Sequence, residues 1–109
     1  MNDNSMIIEW APFETKPEFT EQQIIELAQK VETEFLAKQS GYIRRELLKR
    51  DNNQWADLVY WKNMESAIAG AKAANDSGAF YEYFCTMVGV DLNSAEAGIF
   101  HFRLAQKWN

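Results

Sequence analysis

The chain contains a single histidine, His101, and it falls in a predicted β-strand. Glu9 and Asp57 fall in two other predicted strands. Because side chains alternate between the two faces of a strand, parity places all three residues on the same face of a sheet. A carboxylate beside an imidazole raises the pKa of the ring and fixes its tautomer, which suits a general base. His101, Glu9 and Asp57 are therefore candidate catalytic residues, and a buried ion-pair network within or between subunits is the alternative interpretation.

Aromatic residues are abundant for so short a chain, with 4 Trp, 4 Tyr and 7 Phe. Trp61 lies near the end of a predicted strand, and Tyr81, Tyr83 and Phe84 belong to a short aromatic helix. Together these four could wall a pocket for a flat aromatic or polyketide-like ligand, so they are the candidate substrate-binding residues. The alternative is that they pack in the core, where buried tyrosines need hydrogen-bond partners.

The elements that must position these residues follow from hydrophobic periodicity and from capping signals. Four strands are predicted, at Met6–Phe13, Tyr42–Arg50, Trp55–Lys62 and Ile99–Lys107. A first helix is predicted from Thr20 to Ser40, and a second begins at Met64 and is interrupted at 75–78. A short helix follows at Ala79–Val88, and a loop at Asp91–Gly98 leads into the last strand. The order β-α-β-β-α-β predicts an α+β ferredoxin-like fold, a four-stranded antiparallel sheet with helices on one face. The first strand of such a sheet lies between the third and the fourth, and residues 1–109 are expected to form a single domain.

Both faces of the predicted sheet avoid water. One face is almost wholly apolar and includes Ile8, Trp10, Phe100 and Phe102. The other combines the candidate catalytic residues with large apolar groups such as Trp61. One set of helices can cover only one face, so a second copy of the chain packed sheet to sheet is expected, forming a homodimer. Parity alone leaves open which face meets the helices.

Composition excludes several classes of function. The net charge is −5, and no basic stripe suggests nucleic-acid binding. The only basic cluster, at residues 44, 45, 49 and 50, is expected at a solvated or paired strand edge. Cys85 is the only cysteine, so neither an intrachain disulfide nor a thiolate zinc site can form, and no metal site is expected. Neither a signal peptide nor a membrane span is recognisable, and a cytoplasmic protein is expected.

Three segments resemble the antibiotic biosynthesis monooxygenase-like group of the dimeric α+β barrel superfamily. They are Lys16-Pro17 after the first strand, Phe35–Ile43 between the first helix and the second strand, and Trp55–Trp61 running into Glu65-Ser66-Ala67. The resemblance covers nearly the whole chain. It implies a homodimer whose sheets pack face to face, with a pocket between sheet and helices in each subunit.

The group includes haem degraders, which carry an Asn on the first strand and a Trp and a His on the second helix. Here the first strand has Ile8-Glu9-Trp10, the stretch from Met64 to Val88 has neither His nor Trp, and Phe84 stands near the place of the haem-ligating His. The resemblance therefore disfavours haem and implies a small-molecule enzyme similar to the cofactor-independent monooxygenases that act on aromatic or phenolic substrates. The alternatives are a non-catalytic small-ligand-binding or stress-related homodimer and a stand-alone interaction module, which would have no enclosed pocket.

Overall fold

A computed structural model describes residues 5–90 and 98–109. The strands are β1 (Ile7–Glu14), β2 (Tyr42–Arg50), β3 (Gln54–Trp61) and β4 (Phe100–Arg103), and the helices are α1 (Glu21–Glu34), α2 (Met64–Ala74) and α3 (Gly78–Phe84). A 3-10 turn at Leu36–Lys38 follows α1. The chain is thus α+β, with a ferredoxin-like antiparallel sheet as the sequence predicts. None of the helices in the described ranges is long and apolar enough to cross a membrane.

Side-chain caps define where the helices begin. At α1, Thr20 Oγ1 accepts a hydrogen bond from the Gln23 amide at 3.1 Å, and Gln23 Oε1 accepts one from the Thr20 amide at 2.8 Å, the capping box that the sequence predicts. Asn63 Oδ1 caps α2 by accepting the Ser66 amide at 2.8 Å. A capping side chain satisfies amides that have no partner inside the helix. The three helices therefore begin at defined positions above the sheet.

Several predicted bounds differ from the structure. α3 ends at Phe84 and not at Val88, because the chain there pairs with the end of β1: the Val88 amide donates to Glu14 O at 2.8 Å. β4 ends at Arg103 and not at Lys107, because Arg103 pairs with Ile7, the first residue of β1. β1 continues past Pro12, because among the described strands only β3 pairs with it at that position and a strand with one free edge tolerates proline. The loop predicted at Asp91–Gly98 lies, except for Gly98, outside the described residues.

The strand order is β2-β3-β1-β4, with every neighbouring pair antiparallel. Arg45, Val59, Glu9 and His101 pair in register, one on each strand, and form a row across the sheet on one face. The helices cover this face, which we call the inner face, and its Ile7, Trp55, Val59 and Trp61 are buried. The face that combines the candidate catalytic residues with large apolar groups is therefore the one beneath the helices.

The opposite face of the sheet, the outer face, has no cover within the described chain. Phe100 and Phe102 are 54% and 57% exposed there, and Leu48 is also exposed. Arg44 lies on this face with its guanidinium 4.1 Å from the centre of the Tyr60 ring. Large exposed rings side by side on one sheet face are typical of a surface that binds another molecule.

Candidate functional site

A cavity lies between the inner face of the sheet and the helices, where the sequence analysis places a pocket. Five of the seven candidate residues line it: Glu9, Asp57, Trp61, Tyr83 and Phe84. Most of its remaining wall is apolar and comes from the sheet, from α2 and from the segments that follow α1 and α3, including Phe13, Phe35, Leu36, Gly70, Ala74 and Met87. Its volume is about 80 Å³, roughly half that of a cavity known to hold benzene at ~150 Å³. One aromatic ring is therefore larger than the closed cavity, so a ring enters only if side chains of the wall move aside.

Glu9 is a buried carboxyl at the floor of the cavity, with 8% of the residue exposed. Its Oε1 accepts a hydrogen bond from Trp61 Nε1 at 3.2 Å. The same oxygen lies 3.4 Å from His101 Nε2, although this contact lacks the alignment of a hydrogen bond. Burial raises the pKa of Glu9, and the opposing effects of His101 and the Trp61 hydrogen bond are smaller. A carboxyl whose pKa moves toward neutrality is suited to accept and return a proton.

Asp57 belongs to a second buried network, in which both of its oxygens are occupied. Arg45 Nε donates to Oδ1 at 2.7 Å, and the Tyr83 hydroxyl donates to Oδ2 at 2.9 Å. Arg45 Nη1 also donates to the carbonyl of Ala28 in α1 at 2.7 Å. Burial, together with the neighbouring Asp57 charge, raises the pKa of the Tyr83 phenol well above its usual range. This network connects sheet, α1 and α3, so Asp57 holds Arg45 and Tyr83 in place.

The predicted cluster of three is thus divided between two networks. Glu9 and His101 are neighbours, as parity predicts, but His101 does not line the cavity and lies behind Glu9 on the edge strand β4. Asp57 interacts with Arg45 and Tyr83 instead of His101. Tyr81, predicted in the pocket wall, is 58% exposed. Residues two positions apart lie on nearly opposite sides of a helix, and in α3 it is Tyr83 that lies on the buried side.

Arg45 is the site residue that the sequence analysis missed. The basic cluster is expected at a solvated or paired strand edge, yet the Arg45 side chain is only 6% exposed and forms an ion pair with Asp57. Arg45 lies two residues before Leu47, and both face inward, whereas Arg44 faces outward. A bulge between Tyr42 and Arg44 brings Tyr42 to the inner face as well. Because Arg45 and Leu47 are two residues apart, the strand alternation itself indicated that Arg45 shares the inner face with the apolar Leu47. The neighbouring cations favoured a solvated edge instead.

Trp61 owes its position to a glycine in the helix above it. A Cβ at position 70 would overlap the far end of the Trp61 ring, so only glycine allows α2 to approach the sheet this closely. The ring is 1% exposed, and its other end reaches Glu9. Gly70 thereby fixes the donor that binds the carboxyl in the cavity.

The described residues offer no evident metal site. Within residues 5–90 and 98–109, no three His, Cys, Asp or Glu side chains come together as metal ligands. The charged groups that line the cavity are Glu9, Asp57 and Arg45, and each of them is engaged in a hydrogen bond within the protein.

Neither the protein-family models nor the curated proteins contain a match to this sequence. Solved structures do match it. SnoaB, a cofactor-independent oxygenase from Streptomyces nogalater, aligns at a TM-score of 0.66 with 12% identity, over 94% of this chain and 96% of its own. A candidate antibiotic biosynthesis monooxygenase from Nitrosomonas europaea aligns at 0.62 with 13% identity, over 94% and 90%. This chain shares the fold of these solved structures.

A conserved protein from Methanosarcina mazei Go1 has the same fold at a TM-score of 0.65, with 20% identity over 92% of this chain and 93% of its own. The expected resemblance to the antibiotic biosynthesis monooxygenase-like group is confirmed at the level of structure. Identities this low show a shared fold and leave the chemistry to be argued from the side chains of this chain.

Proposed function

We propose that this protein is a small-molecule enzyme that oxidises a phenol or an enol with dioxygen, without a metal or an organic cofactor. The observation that carries the proposal is the buried carboxyl of Glu9, which lines an otherwise mainly apolar cavity and has a raised pKa. The fold shared with SnoaB, named a cofactor-independent oxygenase, supports this reaction class.

Glu9 is the proton acceptor in this proposal. A phenol that enters the cavity gives its proton to the carboxylate and becomes an electron-rich phenolate. Trp61 Nε1 holds the carboxyl at 3.2 Å, and His101, 3.4 Å away, stabilises its charged form when the ring is protonated. The apolar wall excludes water, which strengthens each of these interactions. His101 therefore supports Glu9, a change from the sequence-based hypothesis, in which His101 was itself the base.

The substrate supplies all the electrons in such a reaction. A phenol with a free para position reacts with one O₂ to give a para-quinone and one water, so both oxygen atoms and both lost hydrogens are accounted for. The enzyme's residues contribute proton transfer and orientation. Asp57 is a positioning residue here, because both of its oxygens are already bound by Arg45 and Tyr83.

A second copy of the chain is the proposed partner for the outer face. Phe100 and Phe102 are more than half exposed on that face, and the helices already cover the other. A symmetric pair that buries both outer faces would remove these rings from water at about 25 cal/mol per Å² of apolar surface. Sedimentation at micromolar concentration tests this: a dimer is expected, and a monomer would contradict it.

The function itself is tested with 1-naphthol and phenol as probes. Oxygen consumption and the absorbance of 1,4-naphthoquinone are followed with wild type, Glu9→Gln and, as a matched control in the exposed loop between β1 and α1, Glu18→Gln. We expect a turnover that falls by at least about 100-fold in Glu9→Gln and is unchanged in Glu18→Gln. Equal turnover in wild type and Glu9→Gln would refute the role of Glu9. Binding of the probes without oxygen consumption would support a non-catalytic ligand-binding protein instead.

A further inference from the structure

One wall of the cavity has to move before a ring can enter, because the closed cavity of about 80 Å³ is smaller than one aromatic ring. The strands beneath the cavity are joined to their neighbours by antiparallel ladders. The helices that line it are α2 and α3, and they differ in how they are attached to the rest of the fold.

α3 is attached to the sheet and to α1 by polar contacts. The hydroxyl of the wholly buried Tyr83 donates to Asp57 Oδ2 on β3 at 2.9 Å. Lys30 Nζ on α1 donates to Glu82 Oε1 at 2.8 Å. Directly after α3, the chain hydrogen-bonds to the end of β1. Displacing α3 would leave the buried carboxylate of Asp57 without one of its donors, which is unfavourable because water does not replace a buried partner.

α2 lacks attachments of this kind. Among residues 5–90 and 98–109, the hydrogen bonds of α2 stay within the helix and its flanking residues 63 and 75–77, and none reaches a strand or another helix. The one cap that fixes its beginning, the Asn63 side chain, belongs to the residue just before it and would move with it. Apolar packing is therefore what holds α2 on the sheet.

This packing involves little surface, because α2 turns its smallest residues inward. The residues that it buries are Ala67, Gly70 and Ala74, whereas its larger apolar residues Met64 and Ile68 are 39% and 55% exposed. The stabilisation from burial scales with the apolar area removed from water, and alanine and glycine contribute little area. α2 is therefore the part of the wall that is least costly to displace.

The two ends of α2 allow such a movement. Asn63, before the helix, has an extended backbone with φ −159° and ψ 175°, and residues 75–76 form a turn after it. Gly78, at the start of α3, has open space where a side chain would begin. Rotation of the backbone at these two ends can move α2 while β3 and α3 stay in place.

We infer that α2 is the lid of the cavity: it lifts from Trp61 as one unit, while α3 stays bound to the sheet, and a ring enters beneath it. The inference rests on the proposed function, because it concerns how the substrate of that cavity gains access. Elements that open at ligand sites come from the least stable parts of a fold, those with few buried apolar contacts, and α2 has this character.

Cysteine labelling measures how readily each helix opens. Ala67 on α2 and Ala79 on α3 are 0% and 5% exposed and neither lines the cavity, so Ala67→Cys and Ala79→Cys form a matched pair in a Cys85→Ser background. The reagent is 5,5′-dithiobis(2-nitrobenzoate), followed by absorbance. We expect Ala67→Cys to react at least about tenfold faster, with a weak dependence on low urea concentrations, because a local opening exposes little surface.

Ala74, 8% exposed at the other end of α2, separates lifting of the whole helix from fraying of its last turn. We expect Ala74→Cys to react about as fast as Ala67→Cys. Fast reaction of Ala74→Cys alone would contradict the lid, as would equal rates at all three positions with the steep urea dependence of global unfolding. Hydrogen exchange of the unmodified protein makes the comparison without any variant: the amides of α2 should be less protected than those of α3, and equal protection would overturn the inference.

1-Naphthol separates the lid from the function on which it rests. Because a ring is larger than the closed cavity, a bound ring keeps α2 displaced, so saturating 1-naphthol should accelerate the labelling of Ala67→Cys and leave that of Ala79→Cys unchanged. Bound 1-naphthol, measured by calorimetry, that leaves the rate at position 67 unchanged would assign entry to another wall and overturn the inference. If 1-naphthol does not bind, the proposed function fails, whereas labelling without ligand still decides whether α2 opens.

Discussion

Trp61 donates a hydrogen bond of 3.2 Å to Glu9 across the β1–β3 pair, although the two residues are 52 positions apart in sequence. Ile7 pairs with Trp61 and Glu9 pairs with Val59, so the donor and the acceptor are diagonal neighbours on the inner face. The indole thus satisfies a buried carboxyl without neutralising it. A proton acceptor inside an apolar cavity requires this combination, because a full ion pair at short range would hold the carboxyl charged.

The raised pKa of Glu9 makes folding stability depend on pH in a definite direction. The ordinary pKa of 4.5 applies to the unfolded chain, and the folded pKa is higher. Between these values the folded state binds more protons, so this carboxyl stabilises the fold fully below pH 4.5 and loses that contribution as the pH rises through the folded pKa. Glu9→Gln lacks this titration. Its stability relative to wild type should rise by up to about 1.4 kcal/mol per pH unit across that window.

Urea unfolding at a series of pH values between 4 and 8 measures this difference. Glu18→Gln changes an exposed carboxyl in the loop between β1 and α1 and should follow the wild-type profile. A difference between Glu9→Gln and wild type that is constant over the whole range would contradict the raised pKa.

Tyr83→Phe removes the hydroxyl that donates to Asp57 Oδ2 at 2.9 Å. Since Tyr83 is wholly buried, its acceptor loses a partner that water cannot replace, and a loss of about 1–3 kcal/mol in unfolding free energy is expected. Tyr81→Phe makes the same chemical change two residues earlier, at a side chain that is 58% exposed, and should change stability by less than about 0.5 kcal/mol. Similar losses in the two variants, measured by chemical denaturation, would be inconsistent with the Asp57 network.

Gly70→Ala tests the close approach of α2 to Trp61. The new methyl group overlaps the indole, so either the helix or the ring must move, and overpacking of this kind costs about 1–3 kcal/mol. Gly78→Ala at the start of α3 meets nothing within 4 Å and should be neutral or slightly stabilising. Thermal unfolding of the two variants makes the comparison, and a Gly70→Ala protein as stable as wild type would show that Trp61 has room to shift.

Phe102→Glu places a charge on the outer face, where Phe102 is 57% exposed. In the proposed dimer this side chain is buried, so the variant should sediment as a monomer at concentrations where wild type is a dimer. Ile68→Glu changes a residue of similar exposure, 55%, on α2, away from the outer face, and should leave the dimer intact. Dissociation by both variants, or by neither, would argue against the outer face as the interface.

The fold was predictable because several local signals agreed. The Thr20–Gln23 box, the Asn63 cap and the period-two alternation of the strands each marked an element, and together they gave the topology. The candidate site was predictable only in part. Parity placed Glu9 beside His101, and the parity of Leu47 also placed Arg45 on the inner face, but a cation within a basic cluster was expected at a solvated edge. The inward position of Tyr42 depends on a bulge at the start of β2, which no residue pattern signals. Helical phase, which decides between Tyr81 and Tyr83, likewise requires knowing which side of α3 meets the sheet.

The alternation along β4 has a consequence for how insertions would act. His101 faces inward between Phe100 and Phe102, which face outward, and among the described strands β4 pairs with β1 alone, at Ile7–Trp10. A one-residue slip of this edge strand would turn two phenyl rings toward Glu9 and expose the imidazole. A single inserted residue before Phe100 would therefore abolish the support of the cavity carboxyl and the apolar character of the outer face in the same event. The surroundings of the cavity carboxyl and the apolar outer face are in this sense both encoded by the register of four residues.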